Sequence, residues 1–213
     1  MICEPGATAG RSGWRYPERL TPTDRARRVI FARGMLGSSS SITAQAMAAL
    51  EAACYDERYI TPAAEAYAWY CREPRSTVVA VDGGALAGFV NLLPVRGEVY
   101  AALLAGTYDD SGMTAADLAP APEGAGLPQV YLFLSCIVVD AAYRGTGLSF
   151  ALLRRAAAQY ARCRVARVVT DNVTAAGERL SDRCGLAFVC DSDHGSRVHA
   201  GDWATFCAAI GLC

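Results

Sequence analysis

The chain has 213 residues, 53% of them hydrophobic, and a net charge of −1 from 20 basic and 21 acidic side chains. That length and hydrophobic share are enough to bury a core in one domain, and the near-neutral balance carries no footprint of a nucleic-acid partner. Nine cysteines, an odd number at irregular spacing without a C-x-x-C pair, and only two histidines, His194 and His199, argue against a disulfide framework and against a metal site.

Residues 1–20 hold Pro5, Pro17 and little periodicity, and read as a loose lead-in to a single domain over 21–213. The N-terminus lacks the basic-then-apolar pattern of a secretion signal, and no apolar run reaches the roughly 18 residues of a membrane span. The expectation is therefore a soluble cytoplasmic protein, with its cysteines reduced. "TPTDRARRVIFARG" (21–34) predicts a short helix closed by Gly34. Residues 42–72 are helical in pattern, with Met47, Leu50, Cys54, Tyr67 and Tyr70 as core positions. "ITP" (60–62) splits them into two helices, Thr61 capping the second and Pro62 opening it.

From Ser76 the texture turns to β. "STVVAV" (76–81) and "LAGFVNLLPV" (86–95) form a hairpin across "DGG" (82–84), because glycine accepts the positive φ such turns need. Residues 96–129 read as an insertion: a short helix in "EVYAALLAG", a turn and capped segment in "TYDDSGMTAADL", then a Pro/Gly loop. "VYLFLSCIVV" (130–139) is apolar on both faces and hence a central strand. Next come a helix over 149–161, a strand over 164–171, a helix over 174–185 ended by Gly185, and strands over 186–192 and 195–203. His194 and His199 read as surface or strand residues rather than ligands. The fold class is α/β (α+β), helices around one mixed sheet, with a parallel strand–helix–strand unit at its centre.

"YRGTGLS" (143–149) joins the central strand to its helix. Unpaired N–H groups and the helix dipole favour an anion there, and glycines let a pyrophosphate approach the backbone. The stretch lacks the G-K-[ST] of a Walker loop, all basic residues being arginine, and lacks the ribose-binding acid of a dinucleotide fingerprint. Taken alone it fits a plain glycine turn better than a phosphate cradle, with Tyr143 packing at the turn.

"IVVDAAYRGTGLSFALL" resembles the acetyl-CoA-binding motif of the GNAT superfamily of N-acetyltransferases, in which R/Q-x-x-G-x-G/A opens a helix after a strand. Arg144, Gly147 and Ser149 occupy its marked positions; Ser149 stands for the usual Gly or Ala, and Ala141 where proline is common. "NVTAAGERLSDRCGL" resembles the second signature, with Asn172 and Ala175 at its start and Gly185–Leu186 at its end, about two residues longer than usual. The likeness spans roughly residues 42–203.

The resemblance implies a GNAT-like mixed sheet with splayed central strands, and acetyl-CoA as co-substrate without a metal. It implies an acetyl group passed by direct attack to a small-molecule or protein amine, by a monomer or homodimer; the charge balance and the short apolar runs point to no nucleic-acid or membrane partner. The alternative is a catalytically degenerate acyl-CoA-binding regulatory module of the same fold. Pyrophosphate would lie on Arg144, Gly145, Thr146, Gly147, Leu148 and Ser149. Pantetheine would pair with Ile137, Val138 and Val139 as an added strand, and an N–H near Val138 or Val139 would polarise the thioester carbonyl. The resemblance assigns Asn172 to the cofactor side and puts Ser181 where the family often has a thiolate-protonating tyrosine. Asp109 and Asp110 are the candidate bases for the amine, or caps of the following turn. Asn91 either orients a substrate or satisfies the sheet. Ser135 and Cys136 alternate on the central strand, so one of them, Ser135 as substrate contact, should face the cleft; Cys136 lacks the nearby base an acyl-carrying thiol needs.

Overall fold

The computed structural model describes residues 30–33, 40–124 and 126–212, so the expected lead-in over 1–20 lies outside it. In chain order the strands are β1 (Ile30–Arg33), β2 (Thr77–Asp82), β3 (Ala85–Val95), β4 (Val130–Val139), β5 (Val165–Asn172), β6 (Ala187–Asp191) and β7 (Arg197–Asp202). The helices are α1 (Ser40–Ala52), α2 (Ala63–Arg72), α3 (Gly97–Leu104), α4 (Leu148–Ala158), α5 (Ala175–Arg183) and α6 (Trp203–Ala209). They surround one sheet in the order β1-β2-β3-β4-β5-β7-β6. The expected central strand is its middle member.

Alternation along the strands sorts the core into two faces. On one face Val78, Val90, Leu92, Leu132 and Val168 lie under Leu152 and Leu153 of α4 and Phe206 of α6. On the other, Leu93, Phe133 and Val169 pack against Trp69 of α2 and Leu103 of α3, and Val79, Phe89 and Val138 against Ala44 and Met47 of α1. The hairpin turn between β2 and β3 is made by Gly83 and Gly84, at φ 57° and 87°. Two successive positive φ values match the right-handed twist of the paired strands.

Three local expectations are corrected. Residues 30–33 of the supposed first helix form an antiparallel edge strand against Val78–Val81, and the rest of that segment lies outside the described residues. Strand pairing, a non-local contact, overrides the local signal there. The second helix starts later than expected, at Ala63, with Pro62 rather than Thr61 at its cap position. Thr61 instead donates its N–H to the Glu51 carboxylate at 2.8 Å. The buried face of α2 is then Ala66 and Trp69, and Tyr67, expected in the core, is 43% exposed.

The fold opens its cleft at one place. β4 and β5 run parallel and pair only as far as Phe133↔Val169. β5 continues on β7 to Asn172, while β4 continues on β3 to Val139. A bulge drives the separation: Asn91 faces Cys136 and Leu92 faces Leu134, which leaves Ser135 as the extra residue. The side-chain parity of β4 flips there, since Leu132 and Leu134 face α4, whereas Cys136 and Val138 face α1. A bulge bends and twists its strand, so β4 leaves β5 at its carboxyl end, where open α/β sheets bind ligands.

Candidate active site

The cleft between the parted strands holds two connected cavities. The outer one, of about 510 Å³, lies beside the end of β4 and the first turns of α4 and α5. The inner one, of about 100 Å³, reaches down to Leu134 and Thr170, where the strands part. Tyr55, Ile137, Thr174, Gly177 and Leu180 line both.

The turn "YRGTGLS" forms the outer wall. Gly145 and Gly147 take φ of 76° and 82°, and Gly147 is the N-cap of α4. These left-handed conformations are strained for any side chain. The first N–H groups of α4, from Leu148 and Ser149 onward, have no partner within the helix. The Leu148 side chain is in the core, so this residue offers only its backbone. The Thr146 hydroxyl is spent inside the turn on Tyr143 O at 2.6 Å. Tyr143 itself is buried and donates to Asp82 at 2.8 Å, which anchors the turn to the hairpin. Ser149, Arg144, Arg179 and Arg183 line the outer cavity, and the described residues around it include no carboxylate. Arg179 and Arg183 had not been marked by the sequence motif, although both lie on the helix of the second signature.

Along β4, Tyr55 donates to Ile137 O at 3.2 Å and Arg144 Nε to Val139 O at 3.3 Å. Asp140 N, next along the strand, bonds Ala87 O of β3. N–H and C=O of one strand residue share an edge. Ile137 and Val139 therefore turn their backbone groups to the cleft, and Val138 turns its own to β3. Of the two expected carbonyl-polarising positions, the geometry favours Val139 over Val138.

The inner cavity is acidic and aromatic. Asp110 lines it, half-buried, and its carboxyl is pushed up to about 6 by burial and then by the neighbouring Asp171 and Asp109 charges. Asp109 is exposed and caps the turn, accepting from Ser111 N at 3.0 Å, and that hydrogen bonding holds its carboxyl below the usual range. The capping role therefore belongs to Asp109, and Asp110 faces the cleft. Burial also raises Asp171, against the pull of the Ser196 hydroxyl and His194. Its Oδ1 is buried with no hydrogen-bond partner among the described residues, as is the indole Nε1 of Trp69.

Ser135 and Cys136 both line this cavity, because the bulge breaks the strict alternation the sequence suggested. Burial, with the adjacent Glu51, drives the Cys136 thiol well up, which leaves it protonated and unreactive. Asn91 lies elsewhere: it is 1% exposed, accepts from Thr77 Oγ1 at 3.0 Å inside the sheet, and lines neither cavity.

Asn172 and Ser181 belong to one buried network. Ser181 Oγ donates to Asn172 Oδ1 at 3.1 Å, and Asn172 Nδ2 lies 2.9 Å from His199 Nδ1. An amide nitrogen only donates, so Nδ1 is the acceptor and the ring proton sits on Nε2, which faces Asp182 at 3.7 Å. Gly177 is required beside this network, since a Cβ there would stand 2.8 Å from Asn172 Oδ1.

A family model described as "Acetyltransferase (GNAT) family" matches residues 44–185. The chain belongs to this family. The matched span runs from α1 through α5 and so contains every element of the cleft. No curated protein sequence matches the chain. Among solved structures, the GNAT-like decarboxylase GphF in complex with isobutyryl-CoA shares the fold at TM-score 0.58 and 19% identity, over 82% of this chain and 98% of that one. The loading GNATL domain of CurA from Lyngbya majuscula does so at 0.55 and 12%, over 82% and 97%. Ard1 from Thermoplasma volcanium does so at 0.54 and 12%, over 81% and 95%. At such identities the likeness is one of fold. It carries the fold, but not a reaction.

Proposed function

We propose that the protein transfers an acetyl group from acetyl-CoA to an amine by direct attack, with Asp110 as the base. The observation that carries this reading is the placement of Asp110, a half-buried carboxyl with its pKa at about 6, at the inner end of a cleft whose mouth is basic. The outer cavity fits the phosphates of a coenzyme A thioester: Arg144, Arg179 and Arg183 supply charge, and the Gly147-led helix supplies N–H donors. Ile137 and Val139 present backbone groups to an extended pantetheine arm. The Val139 N–H would polarise the thioester carbonyl. Holding amine and thioester together can supply about 7–11 kcal/mol of the barrier in favourable cases. The amine attacks only as the free base, and a carboxylate of pKa near 6 is ionised at neutral pH and can take its proton. A thiol of pKa about 8.5 leaves without a strong acid behind it.

The presence of that base favours turnover over a binding-only module. The acidic inner end also disfavours a carboxylate-bearing acyl group, and so the chemistry named for the GphF relative. The test is thiol release from acetyl-CoA over a panel of amines, together with calorimetric binding of CoA. No heat with CoA overturns the cofactor assignment. CoA binding without thiol release from any amine returns the protein to the binding-module reading.

A further inference from the structure

β4 turns two carbonyls to the cleft, and a side chain donates to each. Tyr55 Oη donates to Ile137 O at 3.2 Å, and Arg144 Nε to Val139 O at 3.3 Å. Arg144 is exposed, and its Nη2 reaches Cys54 Sγ at 3.3 Å. Tyr55 is half-buried in the segment between α1 and α2. Burial, with the neighbouring Cys136 and Cys54, pushes its phenol well above the usual range, so it stays a neutral donor. Tyr55 also lines both cavities, and so stands where the cofactor end and the acceptor end adjoin.

Those carbonyls are the groups an extended arm needs. A strand added to a sheet lies about 4.8 Å from its neighbour and donates amide N–H groups to the carbonyls on that edge. The Tyr55 hydroxyl, 3.2 Å from Ile137 O, lies within that spacing and holds a position that a pantetheine amide would take. The backbone of this segment is tied independently of the hydroxyl. Tyr55 N–H donates to Glu51 O at 2.8 Å, and Thr61 N–H to the Glu51 carboxylate at 2.8 Å. Rotation of the Tyr55 side chain therefore frees Ile137 O without unfolding the loop.

We infer that Tyr55 is a gate on the pantetheine arm: its hydroxyl holds Ile137 O until an amide of the arm takes that carbonyl, and its ring then turns away from the junction of the two cavities. The inference rests on the proposed coenzyme A site and deepens it, naming a residue that positions the arm and does not touch the reacting atoms. The thioester end reaches the inner cavity only as the ring turns, so one side chain governs both ends of the cleft. A bond that must open before a ligand binds lowers the apparent affinity by the population it holds closed.

Two ligands separate a gate from a merely structural tyrosine: CoA, and 3′-phospho-ADP, which is CoA without its pantetheine arm. Tyr55→Phe keeps the ring and removes the hydroxyl. It should tighten CoA about 2–10-fold in calorimetry, because Ile137 O then lacks its donor, and should leave 3′-phospho-ADP unchanged. Taking each ligand's variant-to-wild-type ratio cancels any change in overall stability. The wild type gives a second reading that needs no variant. In protein carrying ¹³C-labelled tyrosine, saturating CoA should shift the Tyr55 ring signal, and saturating 3′-phospho-ADP should leave it in place. CoA binding that is unchanged or weaker in Tyr55→Phe, equal ratios for the two ligands, or a ring signal that CoA does not move overturns the gate. If CoA gives no heat with the wild type, the proposed cofactor assignment fails and the gate with it; heat from CoA with equal ratios defeats the gate alone.

Discussion

At the outer end of the cleft Arg144, before α4, stands with Arg179 and Arg183 of α5; at the inner end Glu65, Asp110 and Asp171 line the cavity with Trp69. Tyr55 and Ile137 line both ends, so the change of sign takes place between two adjoining cavities. On the proposed reading the charges oppose one another because each end would meet a different partner. Phosphates need arginines and helix N–H groups. A protonated amine needs carboxylates, one of which must also be weak enough to titrate near neutrality. A ligand entering in the wrong direction meets like charge at both ends, so the gradient sets orientation as well as affinity.

The inner end carries the largest expected effect. Asp110→Asn should lower kcat about 10²–10³-fold with little change in the KM for acetyl-CoA. In the wild type Asp110 works as the carboxylate, so kcat/KM should rise with pH through about 6 and level off above it, and that limb should vanish in the variant. A full-strength limb in Asp110→Asn would assign the proton to another group and would remove the functional half of the contrast.

The outer end is tested through the cofactor. Arg144→Glu should raise the KM for acetyl-CoA roughly 10–50-fold while leaving kcat within a few-fold, because on the proposed reading the side chain meets phosphate rather than the reacting atoms. The same KM in the wild type should rise with ionic strength, since these arginines are exposed and screened. A KM indifferent to both charge reversal and salt would leave the basic mouth without a ligand.

The two ends also differ in how far they could be read from the sequence. The outer end comes from a contiguous stretch: an apolar strand, two glycines, then a helical period. Its strand–turn–helix unit around Arg144, Gly147 and Ser149 was legible because strand, turn and helix are local structures. The inner end is assembled from α2, the loop after α3, and the tips of β4 and β5. Asp110 was legible only as one of an ambiguous pair, and the fold separates the two by burying one and using the other as a cap. Trp69 was passed over for Tyr67 and Tyr70 because the buried face of α2 depends on where the helix starts. Asp171 carried one faint signal, its place at the carboxyl end of a parallel strand. The bulge at Ser135, which opens the cleft and turns Cys136 toward α1, has no signature in its own strand, because it exists only as a mismatch with β3.

The placement of Asp110 also sets a stability cost. Its pKa is raised on folding from 3.8 to about 6, so burial penalises the charged form. The stability this group allows is fully present below pH 4 and is lost as pH rises through about 6. Asp110→Asn should therefore stabilise the protein at pH 7 by about 1–2 kcal/mol and have almost no effect near pH 3.5, in denaturant titrations at the two pH values. Equal stabilisation at both would mean that the change acts through packing rather than charge.

The smallest effect is expected at Ser181, and it bears on the fate of the thiolate once the amine has attacked. Ser181 holds the position where a thiolate-protonating tyrosine is common in the family, yet it is 2% exposed and its hydroxyl proton is committed to Asn172. Asn172 is in turn fixed by His199, so the serine ends a chain that orients a cleft-lining amide. A serine hydroxyl is also a far weaker acid than the thiol it would serve. Ser181→Ala should then lower kcat less than about fivefold and destabilise by about 1 kcal/mol, from the bond lost at Asn172. A 100-fold fall in kcat, without a matching fall for Asn172→Ala, would make Ser181 the acid. The expected small effect would leave protonation of the thiolate to solvent at the basic mouth, where Arg144, Arg179 and Arg183 also favour the anion.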